Sequence, residues 1–376
     1  MGWGYLQTRS DVQDETDRLG IALAAPRDMD VLRQGLAVGG TTVRNRLCAL
    51  PMTGQDANRD GSPSEFTLHR YRRYARGGFG IIWFEATCPE PGKQRPGCLA
   101  LDAGSTDRFA WCVRAVREAN PDARLILQLW SRADLGVPVW ERAAHLAADA
   151  GFDGVDIACC GGSSLHVHLS HMAGSPLEDR ARPLRRIVRA VHTARPELLV
   201  AVRLNAYQAQ AGGFGVDAAD YRRMDPSEPV ALARWLRDDG AGCLSVTLDS
   251  PNLFDDPSHR SSRPIADGLT PHEHPLTGLA RHQEMGRLIR DAAPGLSVIG
   301  GGYSWLERLA FCMAAGAVEE GALDLVGLGR LGLLGTPESG LHGLLPFLAA
   351  DLWEPGGPVG HRPAGDAADR AERLEI

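Results

Sequence analysis

Short apolar runs recur along the chain, each ending in a polar or glycine-rich turn and followed by a stretch with helical periodicity. Eight of them predict strands, at residues 46–50, 80–84, 124–130, 154–158, 199–205, 243–248, 296–299 and 323–328. Their apolar residues are continuous rather than alternating, as befits strands covered on both faces. Helices are predicted at 67–76, 106–119, 140–150, 177–193, 229–238, 282–292 and 305–315. Eight strand-then-helix units close a parallel barrel, so the expected fold is α/β, a (β/α)8 TIM barrel with N- and C-terminal extensions. Residues 1–27 read as a first extension outside the core, 28–355 as the barrel and 356–376 as a flexible charged tail, also outside it.

The last two predicted strands end alike. Residues 297–299 run into Gly300, Gly301 and Gly302, and residues 324–328 run into Gly329 and Arg330. In such barrels the final two units grip a phosphate with bare backbone N–H groups and a cation. Gly301, Gly302, Gly329 and Arg330 are therefore candidate ligands of a phosphorylated molecule.

Bulk properties narrow the partners. Over 376 residues the formal charge of −7 offers no general attraction to nucleic acid or to anionic membranes. No apolar run reaches the roughly 18 residues of a membrane span, and the start lacks a charged-then-apolar leader. The expectation is a cytoplasmic protein, a monomer or homodimer acting on a small-molecule substrate. The eight cysteines form no C-x-x-C pair, which argues against zinc ribbons and iron–sulfur clusters and predicts no metal. The arginines between Arg180 and Arg189 stand beside Glu178 and Asp179 at helical spacing and read as a solvated face.

Barrel chemistry sits at the C-terminal strand ends. Those positions hold Pro51, Met52 and Thr53, then Glu85 and Ala86, Gln128 and Trp130, residues 158–162, Arg203 and Asn205, and Thr247 and Asp249. A glutamine such as Gln128 can both give and take hydrogen bonds at an imide-like edge, and Arg203 can offset negative charge developing on a heteroaromatic ring. Equally, each can satisfy neighbouring loops.

The motifs, in order, resemble the old yellow enzyme family of NADH:flavin oxidoreductases. They are Val43-Arg44-Asn45-Arg46-Leu47 into Leu50-Pro51-Met52-Thr53, then Gly77-Gly78-Phe79-Gly80, then Leu127-Gln128-Leu129-Trp130. Ala150-Gly151-Phe152-Asp153-Gly154-Val155-Asp156-Ile157, Val202-Arg203-Leu204 and the two glycine loops follow. The resemblance spans roughly residues 30–345. It implies an FMN-binding barrel that takes hydride from NADH or NADPH and passes it to an activated alkene. It further implies that Pro51, Met52, Thr53 and Ala86 line the flavin and that Gln128 and Arg203 bond its pyrimidine side. Gly301, Gly302, Gly329 and Arg330 would hold its phosphate.

The departures fall at the substrate face. The family usually carries a His-x-x-His or His-x-x-Asn pair after the fourth strand and a proton-donating tyrosine shortly beyond. Here Ala158 and Gly161 replace the pair and Ser163 stands at the tyrosine position. The rim segments after Trp130 and around Met172-Ala173-Gly174-Ser175 are also shortened.

Replacement chemistry has several candidates. Cys159 or Cys160 can serve as a thiolate, or simply pack. His166, His168 and His171 form an H-x-H-x-x-H cluster able to supply a proton, bind a metal or face solvent. Tyr207 can donate a proton and Asp249 accept one, or each can anchor its loop. Trp83 and Trp130 read as packing at the barrel mouth, with substrate stacking as the alternative. The leading expectation is an FMN-dependent oxidoreductase with an atypical active site. It would act on an activated alkene or oxidise a reactive small metabolite, in specialised metabolism. The alternatives are a flavin-binding protein without redox turnover and a metal-dependent barrel lyase or hydrolase.

Overall fold

The computed structural model describes residues 6–170, 174–249 and 273–329. A hairpin of β1 (Leu36–Val38) and β2 (Thr41–Val43) precedes the barrel. Its two-residue turn is Gly39-Gly40, with φ of 52° and 83°, the left-handed conformations that a tight hairpin turn demands of both residues. Eight parallel strands then follow: β3 (Leu47–Ala49), β4 (Ile81–Cys88), β6 (Arg124–Leu129), β7 (Gly154–Cys159), β8 (Leu199–Tyr207), β9 (Cys243–Leu248), β10 (Ser297–Gly300) and β11 (Leu325–Leu328). β11 pairs with β3, and β3 with β4, which closes the barrel. The short β5 (Leu99–Ala100) adds to the end of β4.

Helices α2 (Glu65–Arg76), α3 (Thr106–Ala119), α4 (Val137–Asp149), α6 (Leu177–Ala194), α7 (Ser227–Asp238), α8 (Pro275–Ala292) and α9 (Ala310–Glu319) surround it. The expected (β/α)8 fold is thus the observed one. β4 and β8 run further than predicted and slip register between Phe84 and Thr87 and between Asn205 and Tyr207. Such bulges re-aim side chains at a barrel rim.

Two apolar layers result from strand alternation. Cys48, Ile81, Trp83, Ile126, Ala201 and Ile299 fill the barrel together with Val38 and Val43 of the hairpin, which plugs one end. Phe84, Leu127, Ile157 and Val188 belong to the layer between strands and helices, where Tyr71 of α2 stacks on Phe84 at 3.8 Å. Trp83 accordingly packs the interior and is fully buried.

The N-terminal extension is not outside the core. Its helix α1 (Arg9–Leu19) starts with a capping box, Thr8 Oγ1 accepting the Asp11 N–H at 3.1 Å, and stops at Gly20 in the left-handed region. Val12 and Ala24 join the helical-layer core, and the Ala24 N–H donates to Gln283 at 2.9 Å. The tail at 356–376 lies outside the described residues. The arginine cluster is less solvated than expected, since Arg185 and Arg189 both grip the buried Asp239, and Arg180 pairs with Glu228. Among the described residues no helix is long and apolar enough to cross a membrane.

Candidate active site

Above the apolar interior lies a polar layer built from three adjacent strands. Gln128, Asp156 and Arg203 share the inward parity of Ile126 and Ala201. Gln128 Nε2 donates to Asp156 Oδ2 at 2.6 Å, and the Arg203 backbone N–H donates to Asp156 Oδ1 at 2.8 Å. Burial pushes the Asp156 carboxyl up to about 7, against the pull of Gln128 and of the Arg203 charge. Arg203 itself is partly exposed, and its Nε is buried without a partner.

A second network ties the loop after β3 to its neighbour. Glu85, fully buried at the β4 bulge, accepts the Gly54 N–H at 2.8 Å and an Arg70 N–H. Arg70, from α2, also pairs with Asp56. Burial raises the Glu85 carboxyl to about 7 even against Arg70 and the Gly54 N–H. These bonds hold the segment bearing Pro51, Met52 and Thr53, which are buried, partly buried and exposed in turn. Ala86 is partly exposed on the same bulge.

The glycine loops complete this side of the mouth. Gly302 adopts φ 92°, and a β-carbon there would meet Leu279 at 3.6 Å and His282 at 3.9 Å. A β-carbon on Gly301 would lie 3.5 Å from Leu50, and one on Gly329 would lie 3.3 Å from Met52 Sδ. No backbone carbonyl among the described residues accepts the N–H of Gly301, Gly302 or Gly329. Side chains would fill the cradle that glycine leaves open. The fourth expected phosphate ligand, Arg330, lies outside the described residues.

On the opposite side, β7 leads through Cys160, Gly161 and Gly162 into the short helix α5 (Ser164–Ser170). Ser163 Oγ donates to the Ala158 carbonyl at 2.8 Å and accepts the His166 N–H at 3.2 Å, so it fastens this turn. His166 is buried. Its Nδ1 accepts the Gly162 N–H at 3.0 Å, and its Nε2 lies 3.3 Å from Asn205 Nδ2 at the end of β8. Asn205 Nδ2 also donates to Asp249 Oδ1 at 3.0 Å. Trp130 stands beside this turn, its Nε1 3.7 Å from where a β-carbon on Gly161 would be, with Arg95 over its ring.

Three candidate catalytic groups do not join this cluster. His168 points from the other face of α5 and bonds Asp134 at 2.9 Å, because residues two apart on a helix cannot share a face. Cys159 has the outward parity of Val155 and Ile157. It is buried among the helices, where burial pushes its thiol well above the ordinary range. Tyr207 is buried past the β8 bulge, donates to the Tyr221 carbonyl at 3.1 Å, and has its phenol pushed up to about 12 by burial. It anchors a loop. Cys160 stays partly exposed at the mouth. His171 lies outside the described residues, and among those described no group of three His, Cys, Asp or Glu is placed to hold a metal.

Reading strand ends missed Asp156, Arg70 and His282. An acidic residue at inward parity in an apolar strand is a usable sign for the first. The other two sit in the middle of helices and carry none.

No family model matches the chain. The NADPH dehydrogenase of Listeria welshimeri is 24 % identical over 246 residues, covering 55 % of this chain and 70 % of that protein. That of Listeria innocua is 23 % identical over 248 residues, with the same coverage. Among solved structures, morphinone reductase in complex with tetrahydroNAD superposes with a TM-score of 0.58 at 19 % identity, over 80 % of this chain and 86 % of that one. The old yellow enzyme homologue from Zymomonas mobilis gives 0.57 at 19 % identity, over 80 % and 88 %. The 2-naphthoyl-CoA reductase complex gives 0.65 at 16 % identity, over 85 % and 53 %. At these identities what is shared is the fold, a barrel of the kind seen in old yellow enzyme-type reductases.

Proposed function

We propose that the chain is an FMN-dependent oxidoreductase of the old yellow enzyme type whose substrate face has been rebuilt around His166. Bound FMN would supply the hydride chemistry, with NADH or NADPH as electron donor. The observation that carries the reading is Arg203, a partly buried cation with an unmet Nε, set between the Gln128–Asp156 pair and the glycine loops. In this reading residues 28–355 are the flavin-binding unit. Pro51, Met52, Thr53 and Ala86 flank the ring system, Gln128 and Arg203 bond its pyrimidine edge, and Gly301, Gly302, Gly329 and Arg330 take the phosphate.

His166 stands in for the family's missing oxygen-binding pair as a hydrogen-bond donor to the substrate. Because Nδ1 accepts the Gly162 N–H, a neutral ring carries its proton on Nε2, side by side with Asn205 Nδ2, which is itself a donor and bonds Asp249. Asn205 is held by Asp249, and the imidazole is oriented by the Gly162 N–H. An Nε2–H held this way can hydrogen-bond a substrate oxygen and so polarise an activated alkene. Cys160, partly exposed on the same turn, is the second group within this rim.

A visible spectrum of the purified protein, followed by anaerobic NADH and NADPH additions, tests the reading. The expected result is a yellow protein bleached by one nicotinamide. A chain that stays colourless after reconstitution with FMN sinks it, and a bound flavin that neither donor bleaches favours a binding protein without turnover.

A further inference from the structure

His282 sits in the middle of α8 with its Cδ2 3.9 Å from where a β-carbon on Gly302 would lie. Its Nδ1 is buried and has no partner, while the ring as a whole is only partly buried. Nε2 is bonded to Cδ2, so it is the nitrogen on the Gly302 side. A buried N–H without an acceptor is rarer in proteins than a buried lone pair without a donor. The neutral ring therefore carries its proton on Nε2, the ring nitrogen next to the carbon that approaches Gly302. Burial, Arg281 and Arg203 together lower the imidazole to about 4, which keeps the ring neutral and places it near the Arg203 charge.

We infer that His282 is an additional ligand of the cofactor's phosphate, its Nε2–H donating to a phosphate oxygen beside the N–H groups of Gly301 and Gly302. The inference rests on the FMN reading. It adds a donor from a helix to a cradle otherwise built from strand ends, and it explains a polar ring set against a loop of glycines. A phosphate there also offsets the positive charge of Arg203, Arg281 being already paired with Glu273.

The test compares FMN with riboflavin, which lacks the phosphate. Apoprotein of the wild type, His282→Ala and His282→Gln is titrated with each, following flavin fluorescence quenching, after circular dichroism has established that each variant is folded. The expected result is FMN binding about tenfold weaker in His282→Ala, as for loss of a hydrogen bond to a charged group. Riboflavin binding should be unchanged, and His282→Gln, whose amide can still donate, should recover part of the loss. Equal weakening toward both flavins, or unaltered FMN affinity in both variants, overturns the inference while leaving the FMN reading intact. A wild type that binds neither flavin overturns that reading and the inference with it.

Discussion

The two sides of the barrel mouth treat their polar groups in opposite ways. On the side of β8, β10 and β11, donors are left unmet: Arg203 Nε and the N–H groups of Gly301, Gly302 and Gly329 find no acceptor in the described chain. On the side of α5, polar groups are tied to one another. Ser163 bonds Ala158 and His166, Gln208 Nε2 donates to the His166 carbonyl at 3.2 Å, and Asn205 donates to Asp249 beside the His166 ring. A buried donor without a partner, as Arg203 Nε is, costs about 1–3 kcal/mol, which a tightly held ligand removes. A closed network has no such deficit, and suits a molecule that enters and leaves. In the proposed reading the first side takes the resident cofactor and the second a transient substrate.

The largest expected effect breaks the cofactor side at its support. Glu85→Ala leaves Arg70 buried beside Asp56 alone and frees the Gly54 loop, so stability should fall by about 3 kcal/mol in urea unfolding. A loss under about 1 kcal/mol would mean that this ion-pair network does not hold the loop.

On the substrate side, His166→Ala should lower turnover about 100-fold and leave the flavin spectrum and affinity unchanged. Loss of flavin in that variant would erase the distinction between the two sides. Arg203→Met should do the reverse, weakening FMN about 30-fold in fluorescence titrations with little change in how the empty rim around α5 exchanges its amide hydrogens.

The smallest effect is one of pH. The folded Asp156 carboxyl titrates near 7, above its ordinary value of 3.8, so the native state holds this proton more tightly than the unfolded chain does. Its contribution to stability is full below the ordinary value and is lost as pH rises through about 7. Asp156→Asn should flatten that part of the stability profile. An unchanged profile would assign the pH dependence to Glu85, which titrates in the same range with the same sign.

Much of the fold was readable because it repeats. The eight strand predictions coincide with β3, β4 and β6–β11, and Gln128 and Arg203 stood out as polar residues ending apolar runs. The parity that separates Cys159 from Asp156 was also present, since alternate residues of a strand face opposite ways. Helix α1 carried its own marks in Thr8, Asp11 and Gly20, yet its polar composition read as an extension outside the core.

What local pattern could not supply was the pairing of distant groups. His166 and His168 are equivalent as residue types. Only the direction of α5, and the arrival of Asn205 39 positions later, distinguish the one that faces the mouth. His282 likewise gains meaning from Gly302, a neighbour that α8 brings close only after β10 has joined the barrel. Strand and helix periodicity follow from backbone geometry and burial acting over a few residues, so the chain alone determines the barrel and its candidate cofactor positions. Which donors stay unmet and which are absorbed into a network depends on contacts between remote segments, and that was decided by tertiary packing.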